Sequence, residues 1–478
     1  MSLSLIDLIL NPISKVVHVP VDYLKYFSSF VLAIPITYYC RFLPNDCNLK
    51  HKVYGIIGLL MSFIVFGPIS LSVVFLAYPI YYIMKAFPTK RMALTMMVFL
   101  ILHLSLVHLH KVLSVGVLYK LAFDTVHMMF VIRFSTFCWS VADANSDQET
   151  LCEHRKKMQI KTYPTLTEYF GYVFFFPGIF SGPSLEFNNY MDFITMKQFE
   201  KMPAEKKEGN LPIIPLDVFA RRLGAGIAFY MLVWVVSIFE PKQIEYYVLN
   251  EKDTTSFWFK MFCIWYTGEI CLSKYIGTWY VADAMSIVGG FGYSGEKDGK
   301  SVWKNFLNLD FPTFYLSTSF RNSIFLWNRN VQSWLANYVY LNLEGTIFDS
   351  WKTVITNLVS AFWHGFYAGY YISFGTLALH TETSKLIFKK LTPYVAYKSN
   401  NNKTVMSIYN TILIVYTNYS VKYNFAPFFV MNFWTAWEIF KQTYFCIHLI
   451  TLGLFVWLTF APPRVPKGTT TTKVKKEE

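Results

Sequence analysis

Long apolar runs recur along the whole chain and are separated by short polar segments. A helix needs about 20 predominantly apolar residues to cross the hydrocarbon core of a bilayer. The pattern therefore predicts an all-α, polytopic membrane protein with about eleven transmembrane helices, several of them short or re-entrant. The predicted passes are residues 27–42, 53–66, 69–84, 92–108, 112–139, 169–185, 219–239, 257–275, 354–379, 405–419 and 439–460.

Glycine and proline interrupt these runs at Gly67-Pro68, Pro177 and Gly182-Pro183. Proline cannot donate the backbone hydrogen bond of a regular helix, so each position predicts a kink or a re-entrant turn. Backbone that leaves the helix at membrane depth is tolerated only beside protein or beside a water-filled cavity. We therefore expect a cavity inside the helix bundle.

The composition supports a membrane location and excludes several other classes. Of the 478 residues, 54% are hydrophobic, 19% are aromatic and only 15% are charged, whereas soluble domains are about 25% charged. Outside the apolar runs there is no basic helix with interleaved stacking aromatics, so the sequence excludes a nucleic-acid partner. The seven cysteines have neither metal-ligand spacing nor a disulfide framework, and we predict no metal site.

Three polar segments, at residues 143–161, 197–210 and 292–304, bear on the membrane topology. The first two carry clusters of lysine and arginine and are predicted cytoplasmic loops, because these residues accumulate on that side. The net charge of +13 agrees with such loops. The basic clusters of these segments have two interpretations: either they only set the membrane topology, or they form a binding site for an anion. Asn402 and Asn418 match the N-glycosylation acceptor pattern, which matters only on the lumenal side.

The chain divides into an N-terminal interfacial segment (1–20), a transmembrane domain (21–463) and a tail (464–478). The first residues lack the basic region of a cleavable signal peptide, so we predict a short amphipathic helix on the membrane surface. Lys475 and Lys476 match a dilysine signal that retrieves membrane proteins to the endoplasmic reticulum, and a solvated charged tail is the alternative. Since such a signal is read in the cytosol, it predicts a cytosolic C-terminus.

One histidine, His364, lies within an almost unbroken apolar stretch at residues 361–371. An ionisable group inside a membrane segment is costly, and it marks a functional site by default. Histidine has the ordinary pKa closest to neutrality, which suits it to proton transfer. The alternative is a core histidine that is bonded to a neighbouring carbonyl group.

A second polar cluster lies at residues 325–335, upstream of this histidine. Trp327 and Trp334 are seven positions apart and Asn328 and Gln332 are four apart, so each pair is predicted to share one helix face. An uncharged amide can donate to an oxyanion, or orient a nucleophile, without the desolvation cost of a charge. Capping or interfacial amides are the commoner case, and the proximity of a membrane histidine favours the catalytic interpretation.

Other polar residues in apolar segments are weaker candidates. His103 and His110 are seven positions apart and are predicted to share a helix face. Because no carboxylate lies on that segment, packed histidines are favoured over a metal site. Asp124 and His127 either line the expected cavity or lie at its rim.

The two clusters, Trp327-Asn328 with Trp334-Leu335 and Trp363-His364-Gly365 with residues 369–371, resemble the membrane-bound O-acyltransferase superfamily. Within it, the chain is most similar to the lysophospholipid acyltransferases, and above all to the lysophosphatidylcholine acyltransferases of the endoplasmic reticulum. The resemblance extends over roughly residues 120–478, whereas the first hundred residues agree in hydropathy alone. The segments that carry the finer resemblance are residues 257–260, 274–279 and 290–295 and the dilysine tail.

The resemblance implies a bundle of about eleven helices around an internal tunnel. It implies that His364 is the catalytic general base, and that Asn328 stabilises the oxyanion or orients the substrate. The aromatic and amide neighbours are candidates for substrate binding: Trp327, Gln332, Trp334, Trp363, Tyr367 and Tyr370.

The implied reaction transfers a fatty acyl group, of the polyunsaturated type, from acyl-CoA to the free sn-2 hydroxyl of a lysophospholipid. Lysophosphatidylcholine is the first expected acceptor, followed by lysophosphatidylethanolamine and lysophosphatidylserine, in phospholipid remodelling at the endoplasmic reticulum membrane. Acyl-CoA is then a co-substrate, no cofactor or metal is needed, and the partners are the lysophospholipid and the bilayer. A basic cytosolic face would suit the CoA phosphates, and a homo-oligomer is left open.

Rival interpretations are a lysophosphatidylinositol-preferring enzyme, a protein or sterol O-acyltransferase of the same superfamily, and a multi-pass transporter. The chain has no Gly-x-Ser-x-Gly nucleophile motif, so a covalent acyl-enzyme is not required. No histidine is followed five positions later by aspartate, which disfavours the soluble glycerolipid acyltransferases. The absence of internal repeats disfavours a transporter.

Overall fold

The computed structural model describes residues 5–17, 19–115, 123–180, 182, 184–239, 248–250 and 252–465. The described chain is mostly helical, which confirms the predicted class. The helices of its first half are α1 Leu5–Val17, α2 Val21–Cys40, α3 Cys47–Phe66, α4 Ser72–Ala86, α5 Lys90–Val115, α6 Phe123–Ala144, α7 Glu153–Met158, α8 Leu166–Val173, α9 Phe187–Ile194 and α10 Leu216–Phe239.

The second half continues the helical architecture with several short elements. Its helices are α11 Phe257–Gly289, α12 Phe311–Tyr315, α13 Phe320–Leu326, α14 Arg329–Leu335, α15 Leu341–Leu343, α16 Lys352–His364, α17 Ala368–Leu386, α18 Thr392–Lys398, α19 Lys403–Val430, α20 Phe433–Gln442 and α21 Cys446–Phe460. One antiparallel hairpin lies at the end of the second polar segment and another lies within the third, and their strands are β1 Lys207–Glu208, β2 Leu211–Pro212, β3 Gly295–Lys297 and β4 Lys300–Val302. The dilysine tail lies outside the described residues.

The predicted count of eleven passes is not confirmed. Among the described residues, four helical stretches are long and apolar enough to cross a membrane, or up to six if each bent pair forms one span. The four are Cys47–Ala86, Lys90–Leu113, Phe123–Ala144 and Leu216–Val236. One bent pair joins α1 and α2 at 106°, and the other joins α20 and α21 at 76°. Many of the predicted passes are therefore short, broken helices rather than single straight spans.

The interruptions at glycine and proline take different forms. At Gly67-Pro68 the chain makes a 3-10 turn, Gly67–Leu71, and the two passes predicted on either side belong to one apolar stretch of 40 residues. Pro177 lies in a second 3-10 turn, Phe176–Gly178, so the predicted pass over residues 169–185 is the short helix α8 followed by that turn. Gly182 has a φ of 75°, and Pro183 lies outside the described residues.

Helix α6 lies at the centre of the bundle. In the apolar 18-residue stretch of α6, 89% of the residues are buried. The corresponding stretch of α10 is only 6% buried, so α10 lies on the outside of the bundle. Four charged or titratable residues that the sequence places in or beside this segment are buried on α6, namely Asp124, His127, Arg133 and Asp143. Buried charges need partners, and the partners are close. Arg133 donates to the Val173 carbonyl oxygen at 2.7 Å, and Asp143 binds Arg155 at 2.5 Å.

The first turn of α17 packs directly against the end of α19, and this contact leads to a test of the fold. A Cβ atom at Gly369 would lie 2.0 Å from the Pro427 carbonyl oxygen, and the Gly369 N–H donates to the Met431 carbonyl oxygen at 3.1 Å. We expect Gly369→Ala to destabilise the protein by about 3 kcal/mol, because backbone must move to admit the methyl group. Thermal unfolding in detergent measures the effect.

Gly375 is the matched control because it lies in the interior of the same helix, is exposed, and has nothing within 4 Å of its added Cβ. Gly375→Ala should keep or raise the melting temperature, since alanine is the better helix former by about 1 kcal/mol. Equal melting temperatures for the two variants would contradict the close packing of α17 on α19.

Candidate active site

His364 is the last residue of α16, and the helix ends there because Gly365 leaves the helical conformation. Gly365 has a φ of 119° and a ψ of −163°, which residues with a side chain rarely adopt. Helix α17 then begins at Ala368. The predicted single pass over residues 354–379 is therefore wrong, since the apolar pattern continues across the break while the backbone turns. The histidine lies at a helix end, where the chain changes direction.

Aromatic rings surround the imidazole of His364. The ring centroids of Phe428, Phe374 and Tyr370 lie 5.0, 5.2 and 5.6 Å from its own. The side chain is half-buried, and neither ring nitrogen has a hydrogen-bond partner within the described ranges. A core histidine held by a neighbouring carbonyl does not fit this geometry. A ring nitrogen without a protein partner is available to a substrate hydroxyl.

Asn328 occupies the turn between α13 and α14 and has a left-handed backbone, with φ 49° and ψ 56°. Asparagine tolerates this region better than most residues, and such outliers cluster at functional sites. The buried Asn308 holds the turn, because its carbonyl oxygen accepts from the Arg329 N–H at 3.1 Å and its side-chain oxygen accepts from the Asn330 side chain at 2.7 Å. The amide of Asn328 makes no hydrogen bond within the part of the chain that the structure covers.

The predicted shared helix face of Trp327 and Trp334 is wrong, because Trp327 follows the end of α13 and only Trp334 lies in α14. Trp327 packs against Trp279 at a centroid distance of 4.8 Å. Trp334 donates to the Ser135 hydroxyl at 2.9 Å and contacts the Trp363 ring at 5.9 Å. A spacing of seven residues places two side chains on one face only within a continuous helix, and here a turn at Asn328 separates the two tryptophans. Gln332 lies half-buried in α14.

The Trp334–Trp363 contact joins the two predicted clusters. Trp363 is buried and donates from its indole nitrogen to the Met128 carbonyl oxygen on α6 at 3.2 Å. Tyr370 is also buried and packs its ring on Phe428 at 4.5 Å. Tyr367, in the linker between α16 and α17, is half-buried and lies 5.8 Å from the Tyr370 ring. These contacts anchor the segment that carries the candidate base.

Sequence reasoning missed His108, which contacts this segment directly. Its Nε2 lies 3.1 Å from the Trp363 carbonyl oxygen. His103 and His110 both lie in the continuous helix α5, as predicted, and His103 packs against His127 on α6, with Nδ1 and Nε2 2.9 Å apart. The only signal in the sequence was the presence of two further polar residues, Asp124 and His127, in the next apolar segment.

The three polar segments meet at one surface cleft of about 560 Å³. The charged residues that line it are three lysines and three carboxylates, so the lining has no excess of positive charge: Lys157, Lys197, Lys201, Asp192, Glu200 and Glu296. Lys206 joins the two hairpins by binding Glu296 at 2.5 Å, and this hydrogen bond lowers the pKa of the Glu296 carboxyl from its ordinary value. The cleft therefore gives no support to the alternative interpretation of these segments as an anion site.

Comparison with known proteins yields one family and a consistent set of relatives. The model of the membrane-bound O-acyltransferase family matches residues 76–426, so the likeness begins earlier than the predicted residue 120. The chain is 28% identical to the lysophospholipid acyltransferase of Schizosaccharomyces pombe, over 69% of this chain and 65% of that protein. It therefore spans slightly less than two thirds of that relative.

Two further relatives match over nearly the whole chain. Membrane-bound glycerophospholipid O-acyltransferase 2 of Gallus gallus is 25% identical over 96% of this chain and 89% of the relative. Membrane-bound glycerophospholipid O-acyltransferase 1 of Homo sapiens is 24% identical over 95% of this chain and 92% of the relative. The similarity thus includes the first hundred residues, where the sequence analysis found agreement in hydropathy alone.

Proposed function

The chain belongs to the membrane-bound O-acyltransferase family, and from that premise we propose that it transfers a fatty acyl group from acyl-CoA to the free sn-2 hydroxyl of a lysophospholipid. The observation that carries the proposal is the half-buried His364 at a helix break, enclosed by aromatic rings and without a protein partner for its nitrogens among the described residues. The names of the S. pombe and G. gallus relatives support a glycerophospholipid as the product.

In the proposed reaction His364 is the general base. Its ring nitrogen accepts the proton of the lysophospholipid hydroxyl while the hydroxyl oxygen attacks the carbonyl carbon of the thioester. The tetrahedral intermediate then collapses, the carbon–sulfur bond breaks, and the CoA thiolate takes the proton from the imidazolium. Each turnover therefore yields one diacyl phospholipid and one free CoA, and the histidine returns to its neutral form.

Asn328 has one of two roles in this reaction. Its side-chain N–H groups either donate to the oxyanion of the intermediate or hold the attacking hydroxyl in line. The support is a side-chain amide without a protein hydrogen bond among the described residues, on a turn that Asn308 fixes by three hydrogen bonds. The aromatic walls around His364 would also keep water away from the thioester and so suppress its hydrolysis. Trp327, Gln332 and Tyr367 remain proposed substrate contacts.

Within the lysophospholipids we propose lysophosphatidylcholine as the preferred acceptor, then lysophosphatidylethanolamine and lysophosphatidylserine, with polyunsaturated acyl chains as the preferred donors. The support is the resemblance of residues 257–260, 274–279 and 290–295 to the lysophosphatidylcholine acyltransferases. We further propose that the protein acts in phospholipid remodelling in the endoplasmic reticulum membrane and that its C-terminus lies in the cytosol. Lys475 and Lys476 support this location.

A direct assay tests the function. Purified protein in detergent micelles receives labelled polyunsaturated acyl-CoA and one lysolipid at a time, with choline, ethanolamine, serine or inositol headgroups. We expect labelled diacyl phospholipid and an equal amount of free CoA, with the highest kcat/KM for the choline headgroup. Preference for the inositol headgroup would overturn the proposed specificity.

Three outcomes would overturn the function itself. Release of CoA without acylated lipid would indicate a thioesterase. Acylation of a sterol or a peptide but of no lysolipid would indicate another acceptor class within the family. Passage of a solute into proteoliposomes without any acyl transfer would indicate a transporter.

A further inference from the structure

A buried cluster of charged and titratable side chains on α5 and α6 lies next to the candidate base but has no part in the reaction proposed above. His108 on α5 is 4% exposed, and Asp124 on α6 is 6% exposed. The Nδ1 atom of His108 lies 3.6 Å from the Asp124 carboxylate. Lys111, one turn further along α5, binds the same carboxylate oxygen at 2.8 Å. The carboxylate therefore lies beside the His108 ring, within ion-pair distance of Nδ1 but beyond hydrogen-bond distance.

The other side of the His108 ring meets the end of α16. The Trp363 carbonyl oxygen lies 3.1 Å from Nε2 and can only accept, so Nε2 carries the proton and donates. The last four carbonyl groups of a helix have no partner within it. His108 satisfies one of these carbonyls at the residue directly before His364.

Gly365 makes this approach possible. A Cβ atom at Gly365 would lie 3.2 Å from the Cγ and Nδ1 atoms of His108, which is tighter than ordinary contact. The imidazole of His108 thus lies against the bare backbone that follows the candidate base. It hydrogen-bonds the carbonyl group that precedes His364 and lies beside the Gly365 residue that follows it.

We propose that His108, oriented by Asp124 and Lys111, is a positioning residue that fixes the end of α16 and with it the direction of the His364 ring. The inference rests on the acyl transfer proposed above and adds a Lys111–Asp124–His108 chain behind its base. His108 itself does not touch substrate. Its contribution is to hold the base in the geometry for proton transfer, where a displacement of about 1 Å costs on the order of 10²-fold in rate.

The neighbouring histidines do not share this role. His103 and His127 bond to each other, Nδ1 to Nε2 at 2.9 Å, and no hydrogen bond joins either of them to Trp363 in the described chain. No three His, Cys, Asp or Glu side chains among the described residues are arranged to hold a metal ion. His103 is therefore a matched control, because it is a histidine on the same helix without the contact to α16.

The experiment compares four variants in the acyl-transfer assay with purified full-length protein. His108→Leu should lower kcat by about 10²-fold with little change in the KM for acyl-CoA, because the base is misplaced while the substrate site stays intact. His108→Gln keeps an N–H donor near the Nε2 position, so its kcat should be at least about tenfold higher than that of His108→Leu. Asp124→Asn should lower kcat by about tenfold, and His103→Gln should keep wild-type kcat.

Melting temperatures in the same detergent separate positioning from folding. The proposal requires that His108→Gln melt within a few degrees of wild type and exceed His108→Leu in kcat. Wild-type kcat in His108→Leu would overturn it, as would losses that follow the melting temperature across all variants, or equal losses in His103→Gln. If wild-type protein acylates no lysolipid, the proposed function has failed instead, and that result is visible before any variant is compared.

Discussion

Replacement of His364 by alanine should lower the rate of lysolipid acylation by at least about 10²-fold, which is the usual contribution of a general base. The loss should fall on kcat, because alanine removes the proton acceptor while the surrounding rings of Phe374, Phe428 and Tyr370 remain in place. The measurement is the initial rate of labelled phospholipid formation at saturating acyl-CoA. Size-exclusion elution and melting temperature should match those of wild type, since His364 has no protein hydrogen bond in the described chain to lose.

His110 provides the control for this variant. It is an exposed histidine on α5, in contrast to the half-buried His364. His110→Ala should keep at least half of the wild-type rate. Full activity in a folded His364→Ala protein would show that another group removes the proton, and the assignment of the base would be wrong.

His364 could be singled out from the sequence because the relevant physical quantity is local. The cost of an ionisable group depends on the apolar residues around it in the chain, and those are visible in the printed sequence. The helical class follows from run length in the same way. The number of passes cannot be obtained from run length. Apolar runs such as 169–185 and 354–379 fold as broken helices, and the ends of these helices depend on single glycine and proline residues.

The contacts behind the site could not be derived from spacing. His108 and Trp363 are 255 positions apart, and nothing in either segment indicates the other. The left-handed turn at Asn328 could not be predicted from helical periodicity either. That analysis assumes one continuous helix, whereas the chain breaks between α13 and α14. Periodicity describes one element at a time, whereas the direction of a catalytic side chain is set by elements distant in sequence.

The second large effect on activity is expected from substitution of Asn328 in this turn. Asn328 has a φ of 49°, so an ordinary substitution changes both the side chain and the backbone preference. Glycine adopts this conformation freely, and Asn328→Gly therefore removes the amide while leaving the turn relaxed. We expect a loss of about 10²–10³-fold in kcat, the usual effect of deleting one oxyanion donor. Asn328→Asp should be at least as impaired, because a carboxylate cannot donate and its charge opposes the oxyanion.

Asn400 is the matched control, because it is an exposed asparagine with a φ of 47° that lies after α18, outside the candidate site. Asn400→Gly should keep wild-type activity and melting temperature. If Asn328→Gly also keeps the wild-type kcat and KM, the asparagine is required only for the left-handed turn and the proposed amide chemistry is wrong. If the glycine variant is impaired in kcat but melts like wild type, the side chain acts on the reacting atoms. A rise in the KM for lysolipid with unchanged kcat would instead assign Asn328 to substrate binding, and would exclude stabilisation of the oxyanion.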